Sequence, residues 1–356
     1  MISVHDHTGL DKLARRLRMD PHRLRRFRAV FHKRQGTDQE ALREIPAELA
    51  SRFAGEVDLH PLTLEARQDS QRDGATKLLF RTRGGQVIET VILRIATGRT
   101  TLCLSTQAGC GAACAFCATG RLGLSRNLTA AEMADQVIQA NQLLRPEGRQ
   151  IRNLVFMGMG EPFHNEAELY RALEQLSAPE GVHLDLRRML VSTVGIADAL
   201  LRCATRFPRL GLALSLHSAR AEVREQLMPV ARRHSLAALR VALEGVMAVQ
   251  GKLPMIEYLL LEGINDTDAD LAELGTFLRG LDVHVNLIPY NATGVASEFA
   301  GTGPERRAEF AAELRARGFK VTTRYSLGGD IAAACGQLAR AKSAPPAEEI
   351  GVGAST

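Results

Sequence analysis

The sequence predicts an α/β fold: a partial (β/α)6 barrel, preceded by a small helical unit and a β-hairpin. Three observations predict it. From about residue 100 to 325, short apolar runs of strand character alternate with amphipathic helical runs, the pattern of a parallel sheet. Ahead of them, KLLFRTR and QVIETVILRI flank Gly84-Gly85, a hairpin signal. Ahead of that, Leu10, Leu13 and Leu17 recur at helical spacing in an arginine-rich segment.

Taken in order, residues 1–55 read as short helices. Arg23, Arg25, Arg26, Arg28, Lys33 and Arg34 are interleaved with Leu24, Phe27, Val30 and Phe31. The apolar set makes a small core and the basic set stays outside. Arginine pairs well with phosphate, so this density favours contact with an RNA backbone over a merely solvated face. Residues 56–99 form the hairpin extension. There Glu89 shares a strand face with Val87 and Val91, and a carboxylate partly buried in that way is either paired or functional.

The strands expected in the barrel are TTLCLST, NLVFMGM, RRMLVST, GLALSLH, PMIEYLLL and VHVNLIP. The helices include AAEMADQVIQANQLL, EAELYRALEQL, LAELGTFLRGL and PERRAEFAAELRARG. In such folds the chemistry lies at the carboxyl ends of the strands. Cys110, Met157–Glu161, Ser192, Ser215–His217 and Asn291 all fall there. The barrel domain is expected over 100–340, with a disordered tail at 341–356 that is rich in Pro, Ala and Gly.

Composition narrows the class. The chain has 356 residues, 45% hydrophobic and 24% charged, enough for one large domain and a smaller one. It has no apolar run long enough for a membrane span and no signal-peptide core at the N-terminus, so a cytoplasmic protein is expected. In a reducing compartment its six cysteines are ligands, nucleophiles or core thiols rather than bridges. A net charge of +5 is weak evidence for nucleic acid by itself. With aromatics at 4% and no Trp, a sequence-tolerant stacking platform for single strands is not expected.

The most specific motif is Cys110, Cys114 and Cys117, spaced C-x3-C-x2-C in a loop of Gly and Ala with Phe116 before the last Cys. No paired C-x2-C or His spacing completes a zinc site. Three local thiolates with no nearby fourth suit an iron–sulfur cubane with one iron left open. This resembles the signature of the radical S-adenosylmethionine (SAM) enzymes, so the expected fold is a radical SAM barrel.

The resemblance goes further. Cys103 with STQAGCGAACAFCATG, RNLTAAE, MGMGEP, VSTVGI, LALSLHS, LMPV, EYLLLEGINDT, NLIPYN and DIAAACGQL resemble the RlmN/Cfr family of radical SAM RNA methyltransferases over nearly the whole chain. The resemblance implies methylation of a ring carbon of adenine, which has no lone pair to attack a SAM methyl and so demands a radical route. It implies a [4Fe–4S] cluster on Cys110, Cys114 and Cys117, and two SAM per turnover. It implies Cys335 as the S-methylcysteine intermediate, Cys103 as the resolving thiol that displaces Cys335 as a disulfide, and Glu89 as proton acceptor. Gly160, Glu161, Ser192, Ser215, Leu216, His217 and Asn291 match the SAM contacts, although His217 also reads as a core histidine. Cys203, in the apolar run LLRCAT, reads as core.

The expected partners are 23S rRNA or tRNA and a flavodoxin-type reductant, with no membrane and a monomeric chain. Gly160–Pro162 (GEP) points to C2 methylation. C8 methylation is the alternative, because IETVILR lacks a following Pro and CATGRLGLSRNLTA, VSTVGI and LIPYN read closer to that branch. A paralogue acting on another RNA is a further alternative. A radical SAM activating enzyme would need neither Cys335 nor Cys103, and a non-catalytic RNA-binding protein with a structural metal would lack the cluster.

Overall fold

The computed structural model describes residues 1–293 and 298–339. The tail expected at 341–356 lies outside them. The strands of its main sheet are β1 (Leu62–Asp69), β2 (Ala75–Thr82), β3 (Val87–Arg94), β4 (Thr100–Cys103), β5 (Asn153–Phe156), β6 (Met189–Thr193), β7 (Gly211–Ser215), β8 (Met255–Leu260), β9 (His284–Pro289) and β10 (Lys320–Thr323). All ten form one sheet in strict sequence order.

β1, β2, β3 and β4 pair antiparallel. From β4 to β10 every pairing is parallel. β1 and β10 are the two edges, so the barrel is open. Long helices join the parallel strands, including Ala130–Leu144, Glu166–Ser177, Ala197–Arg206, Leu236–Gln250, Asp268–Leu278 and Pro304–Ala316. Their apolar faces bury Leu173, Leu200, Leu243, Leu274 and Leu314 against the sheet.

Two strands of this sheet are additional to the sequence reading. β10 is short and polar on alternate positions, KVTT, with no fully buried residue. β1 alternates between buried or half-buried and exposed residues from Leu62 to Asp69. Both are edge strands, and edge strands carry the weakest apolar signal.

Residues 7–16, 21–28, 38–42 and 47–56 are helical. They build their own apolar cluster around Leu10, Phe27, Phe31 and Phe53, closed by Ile138 from the helix Ala130–Leu144. One basic residue departs from the expected exterior set. Arg28 turns inward, donates to the His7 carbonyl at 2.6 Å and pairs with Asp11 at 3.0 Å. The chain then runs through a π-helical turn, Ala29–Lys33, a rare geometry. Among the described residues no helix is long and apolar enough to cross a membrane.

The helix Ala130–Leu144 is the common wall of these parts. Thr129 and Glu132 form its capping box. Its face toward the N-terminal unit carries Asp135, which accepts from the Leu62 amide at 3.1 Å and contacts His60 Nδ1 at 2.6 Å. His60 Nε2 reaches Asp38 at 2.9 Å. Burial alone would push His60 down, but the hydrogen bonds to Asp135 and Asp38 outweigh it and hold the imidazolium up to about 10.

Candidate active site

The parallel strands open their carboxyl ends into one bowl, and nearly every candidate residue stands on its rim or floor. The loop after β4 carries the three clustered cysteines. Gly109 at φ +80° and Ala113 at φ +54° bend it back on itself. The Cys110 amide donates to the Gly123 carbonyl at 2.9 Å, the Cys117 amide to the Cys114 carbonyl at 3.1 Å, and the Ala115 amide to Leu227 at 2.9 Å. The turn is tight: a Cβ on Gly109 would come within 1.9 Å of the Gly123 oxygen, and one on Gly120 within 2.9 Å of the Cys114 backbone.

Cys110 and Cys114 are buried and Cys117 is half-buried. Burial, with the like charge of the neighbouring thiols, pushes Cys110 up to about 11 and Cys114 well above the ordinary thiol range. Among the described residues no three His, Cys, Asp or Glu converge as around a single ion. A cubane makes no such demand, because its cysteines bind separate irons. Two buried thiols and a half-buried one, close enough to repel one another as thiolates in a loop of small residues, fit that group: a bound metal would stabilise the thiolates that burial disfavours.

Gly160 and Glu161 follow β5. Gly160 sits at φ +102°, and a Cβ there would strike Gln107 at 2.6 Å. The Glu161 carboxylate is buried and pushed up to about 7, although the amides of Val194 (2.8 Å) and Phe163 (3.0 Å) donate to it. It therefore fixes the turn after β6 as well as facing the cysteine loop. Ser192 and Ser215, on adjacent strands, meet at 3.2 Å through their hydroxyls. The Leu216 amide donates to the Glu257 carbonyl at 3.0 Å.

His217 behaves as a core histidine. Its Nδ1 accepts from the Leu259 amide at 3.0 Å, and its ring stands edge-on to Phe116 with centroids 5.0 Å apart. Burial and the nearby Arg224 push it down to about 3, so it is a neutral support for the cysteine loop. Asn291, after β9, donates through Nδ2 to the Cys335 carbonyl at 3.2 Å.

Cys335 lies on a segment that crosses the bowl. Asp330 pins it to the hairpin through Ser70 (2.8 Å) and the Gln71 amide (3.0 Å). Ala332 turns it at φ +49°. Beyond Cys335 it docks on the cysteine loop: the Ala118 amide donates to the Gly336 carbonyl at 2.8 Å, and the Thr119 hydroxyl to that of Leu338. The Cys335 residue is solvent-exposed inside the bowl. The protein around it raises its thiol, and the Arg324 guanidinium pulls the other way. Cys103, at the end of β4, is half-buried and pushed up to about 12 by burial, with Cys335 adding to the rise and Arg324 opposing it. All six cysteines are free in this structure, so the expected Cys103–Cys335 disulfide is not formed in it.

Glu89 is fully buried. Among the described residues neither carboxylate oxygen has a hydrogen-bond partner of ordinary length, and Lys77 Nζ stands 3.5 Å from Oε1. Burial pushes Glu89 up to about 7 against the pull of Lys77. Cys203 lies in the core.

Four polar residues of the site escaped the sequence reading. Lys77 is buried mid-strand within KLLFRTR. Arg324, just after β10, acts on both Cys103 and Cys335. Glu257 is buried on β8, with Oε2 accepting from Asn286 at 2.7 Å. Arg224, fully buried, donates to the carbonyls of Leu216 (3.2 Å) and Val194 (2.7 Å), tying together the turns after β7 and β6. The available signal was a charge inside an otherwise apolar strand, as in PMIEYLLL.

No protein-family model matches the chain. Curated relatives do. A probable RNA methyltransferase of Rhodopirellula baltica is 48% identical over 93% of this chain and 86% of that protein. The dual-specificity RNA methyltransferase RlmN of Sorangium cellulosum is 38% identical over 86% of this chain and 87% of its own. The crystal structure of a radical SAM methyltransferase from Sphaerobacter thermophilus superposes with a TM-score of 0.91, at 39% identity, over 95% of this chain and 99% of that one. The open barrel, the cysteine loop at its carboxyl rim and these relatives lead to one conclusion: the chain belongs to the RlmN family of radical SAM RNA methyltransferases.

Proposed function

We propose that the protein methylates C2 of an adenosine in 23S rRNA or tRNA, through an S-methylcysteine on Cys335. The observation that carries this reading is the placement of Cys335. The residue is exposed in the bowl, and its thiol lies within electrostatic reach of Cys103 and of the cluster-loop Cys117. A thiol that only packed the core would resemble Cys203.

Cys110, Cys114 and Cys117 would hold the [4Fe–4S] cluster, and Gly160, Glu161, Ser192, Ser215, Leu216, His217 and Asn291 line the SAM site. Together the cluster and SAM supply a hydrogen-abstracting radical, the chemistry that an unactivated ring carbon requires. The chain's own residues do the rest. Cys335 accepts a methyl group from one SAM and presents it to the base. After the methyl carbon joins the ring, Glu89 accepts the ring proton; at about 7 its carboxyl is poised to do so at neutral pH. The Cys103 sulfur then attacks the Cys335 sulfur: the S–S bond forms as the Cys335 carbon–sulfur bond breaks, the Cys103 proton passes to the released carbon and completes the methyl group, and the one unpaired electron would be taken up by the cluster. The exposed Arg23 and Arg25 of the N-terminal unit contact RNA phosphates. We place the reaction in the cytoplasm, on a monomer, with a flavodoxin-type reductant.

The test is mass spectrometry of digested large-subunit rRNA and tRNA from cells lacking the family's enzymes, with and without this gene. Gain of 2-methyladenosine is expected. A second reading, C8 methylation, draws on IETVILR, which lacks a following Pro, and predicts 8-methyladenosine instead. If Cys335→Ala still methylates RNA, the cysteine-carrier reading is wrong.

A further inference from the structure

On the face opposite the bowl, a groove of about 610 Å³ runs between the N-terminal unit and the underside of the barrel. Lys33, Arg34 and Gln35 form one wall. Gly98 and Thr100, leading into β4, and Glu147–Arg152, leading into β5, form the other. The walls are fixed to each other: Gln142 Nε2 donates to the Gly36 carbonyl at 3.0 Å and to Asp38 at 3.2 Å, and Arg145 pairs with Glu40.

The groove is electropositive, and most of its charge is unspent. Among the described residues, the side chains of Lys33, Arg34 and Arg152 have no carboxylate within ion-pair range. Among the described residues Arg149 makes only long contacts, 3.9 Å to Glu147 and 3.5 Å to both the Thr100 hydroxyl and the Gly98 carbonyl. The one acid in the lining, Glu147, is held by Arg94 at 2.6 Å and 2.7 Å, so it leaves the other cations free. Four cations facing a shared cleft repel one another and gain by neutralisation. The lining has no aromatic ring for a base to stack on, and two of its wall residues are glycines, Gly98 and Gly148. Such a surface recognises a phosphate backbone and not a sequence.

We propose that this groove is a second RNA contact, an anchor that holds the phosphate backbone of a folded substrate away from the reacting nucleotide. It rests on the RNA-methyltransferase reading above. β5 starts beside Arg152 at the groove and ends before Met157–Glu161 at the bowl. One short strand, about 13 Å at 3.3 Å per residue, with its flanking loops separates the two faces. An RNA that engages both must be folded and large enough to reach around the molecule. A short hairpin that fills the bowl reaches only one.

The test uses the full-length, cluster-loaded enzyme and two probes, deproteinised large-subunit rRNA and a short adenosine-containing hairpin cut from its methylated site. Affinity is measured against salt for wild type, Arg149→Glu/Arg152→Glu, Lys33→Glu/Arg34→Glu and the charge-keeping Arg149→Lys/Arg152→Lys. On rRNA, each charge-reversed pair is expected to weaken binding at least tenfold and to lower the slope of log K against log salt by about two, at about 0.9 per phosphate contact. Hairpin affinity stays within twofold of wild type, and the lysine pair behaves as wild type on both probes. Unchanged rRNA affinity and slope in both reversed pairs overturns the anchor, as does an equal loss on the hairpin. If those failures occur while wild type still methylates rRNA, only the anchor falls. If wild type methylates no RNA, the parent reading falls with it.

Discussion

Lys77 Nζ stands 3.5 Å from Glu89 Oε1 and 3.5 Å from the Ala332 carbonyl. One buried ammonium therefore joins the proposed proton acceptor to the segment that carries Cys335. Lys77 lowers a carboxyl that burial raises to about 7. Lys77→Met removes that pull, so Glu89 stays protonated to higher pH. The rising limb of single-turnover methyl transfer should move upward by about one unit or more, with roughly fivefold loss or more at pH 7. Lys77→Arg keeps the charge and should hold the limb near its original place. An unshifted profile in Lys77→Met would remove Glu89 from the chemistry.

The cysteine loop makes a contrasting pair of glycines. At Gly109 a Cβ meets backbone at 1.9 Å and the φ of +80° is itself costly. At Gly111 a Cβ meets only Leu124, at 3.7 Å. Gly109→Ala should bind less than a third of the wild-type iron after anaerobic reconstitution, whereas Gly111→Ala should bind nearly all of it. Iron and sulfide analysis with the visible spectrum gives the answer.

The two thiols proposed as nucleophiles should fail differently. Cys335→Ala should leave SAM cleavage measurable and RNA methylation absent. Cys103→Ala should stop one step later and accumulate protein–RNA adducts on denaturing gels. Cys203→Ala, which touches no chemistry, should lower Tm by a few degrees through a small cavity and leave turnover intact.

The N-terminal unit should lose stability at both ends of the pH scale. Burial holds His32 down at about 3. Its neutral form is fully stabilising above the unfolded value near 6.5, and the contribution is lost as pH falls from 6.5 toward 3. His60 is held up at about 10, so its contribution is complete below 6.5 and lost as pH rises toward 10. Asp135→Asn should abolish most of the alkaline loss and cost on the order of 3 kcal/mol at neutral pH, as breaking a buried pair does. Thermal unfolding between pH 4 and 10 measures both limbs.

Much of this site is legible in the sequence because its residues announce themselves by type and spacing. Cys110, Cys114 and Cys117 lie within one loop, and Gly160 must be glycine at φ +102° against Gln107. The six expected parallel strands carry apolar runs that no surface segment would have. What escaped depends on contacts between distant segments. Lys77 looks like a solvated strand lysine until Ala332 covers it, 255 residues later in the chain. Arg28 shares the composition of its exposed neighbours and differs only by lying over Asp11 and His7. β10 is an edge strand whose alternation is too short to stand out.

The docking of Leu338 on Thr119 spans 219 residues of sequence. At about 5–20 residues per second, a ribosome needs roughly 10–45 s to make that interval. During this time the three clustered thiols have emerged while the strap that will cross them does not yet exist. Filling the cysteine loop and shutting it are thus separate events in the life of each molecule. The wide mouth that a bulky inorganic guest would need is open early and narrowed late, with Cys335, the proposed methyl carrier, arriving on the piece that narrows it.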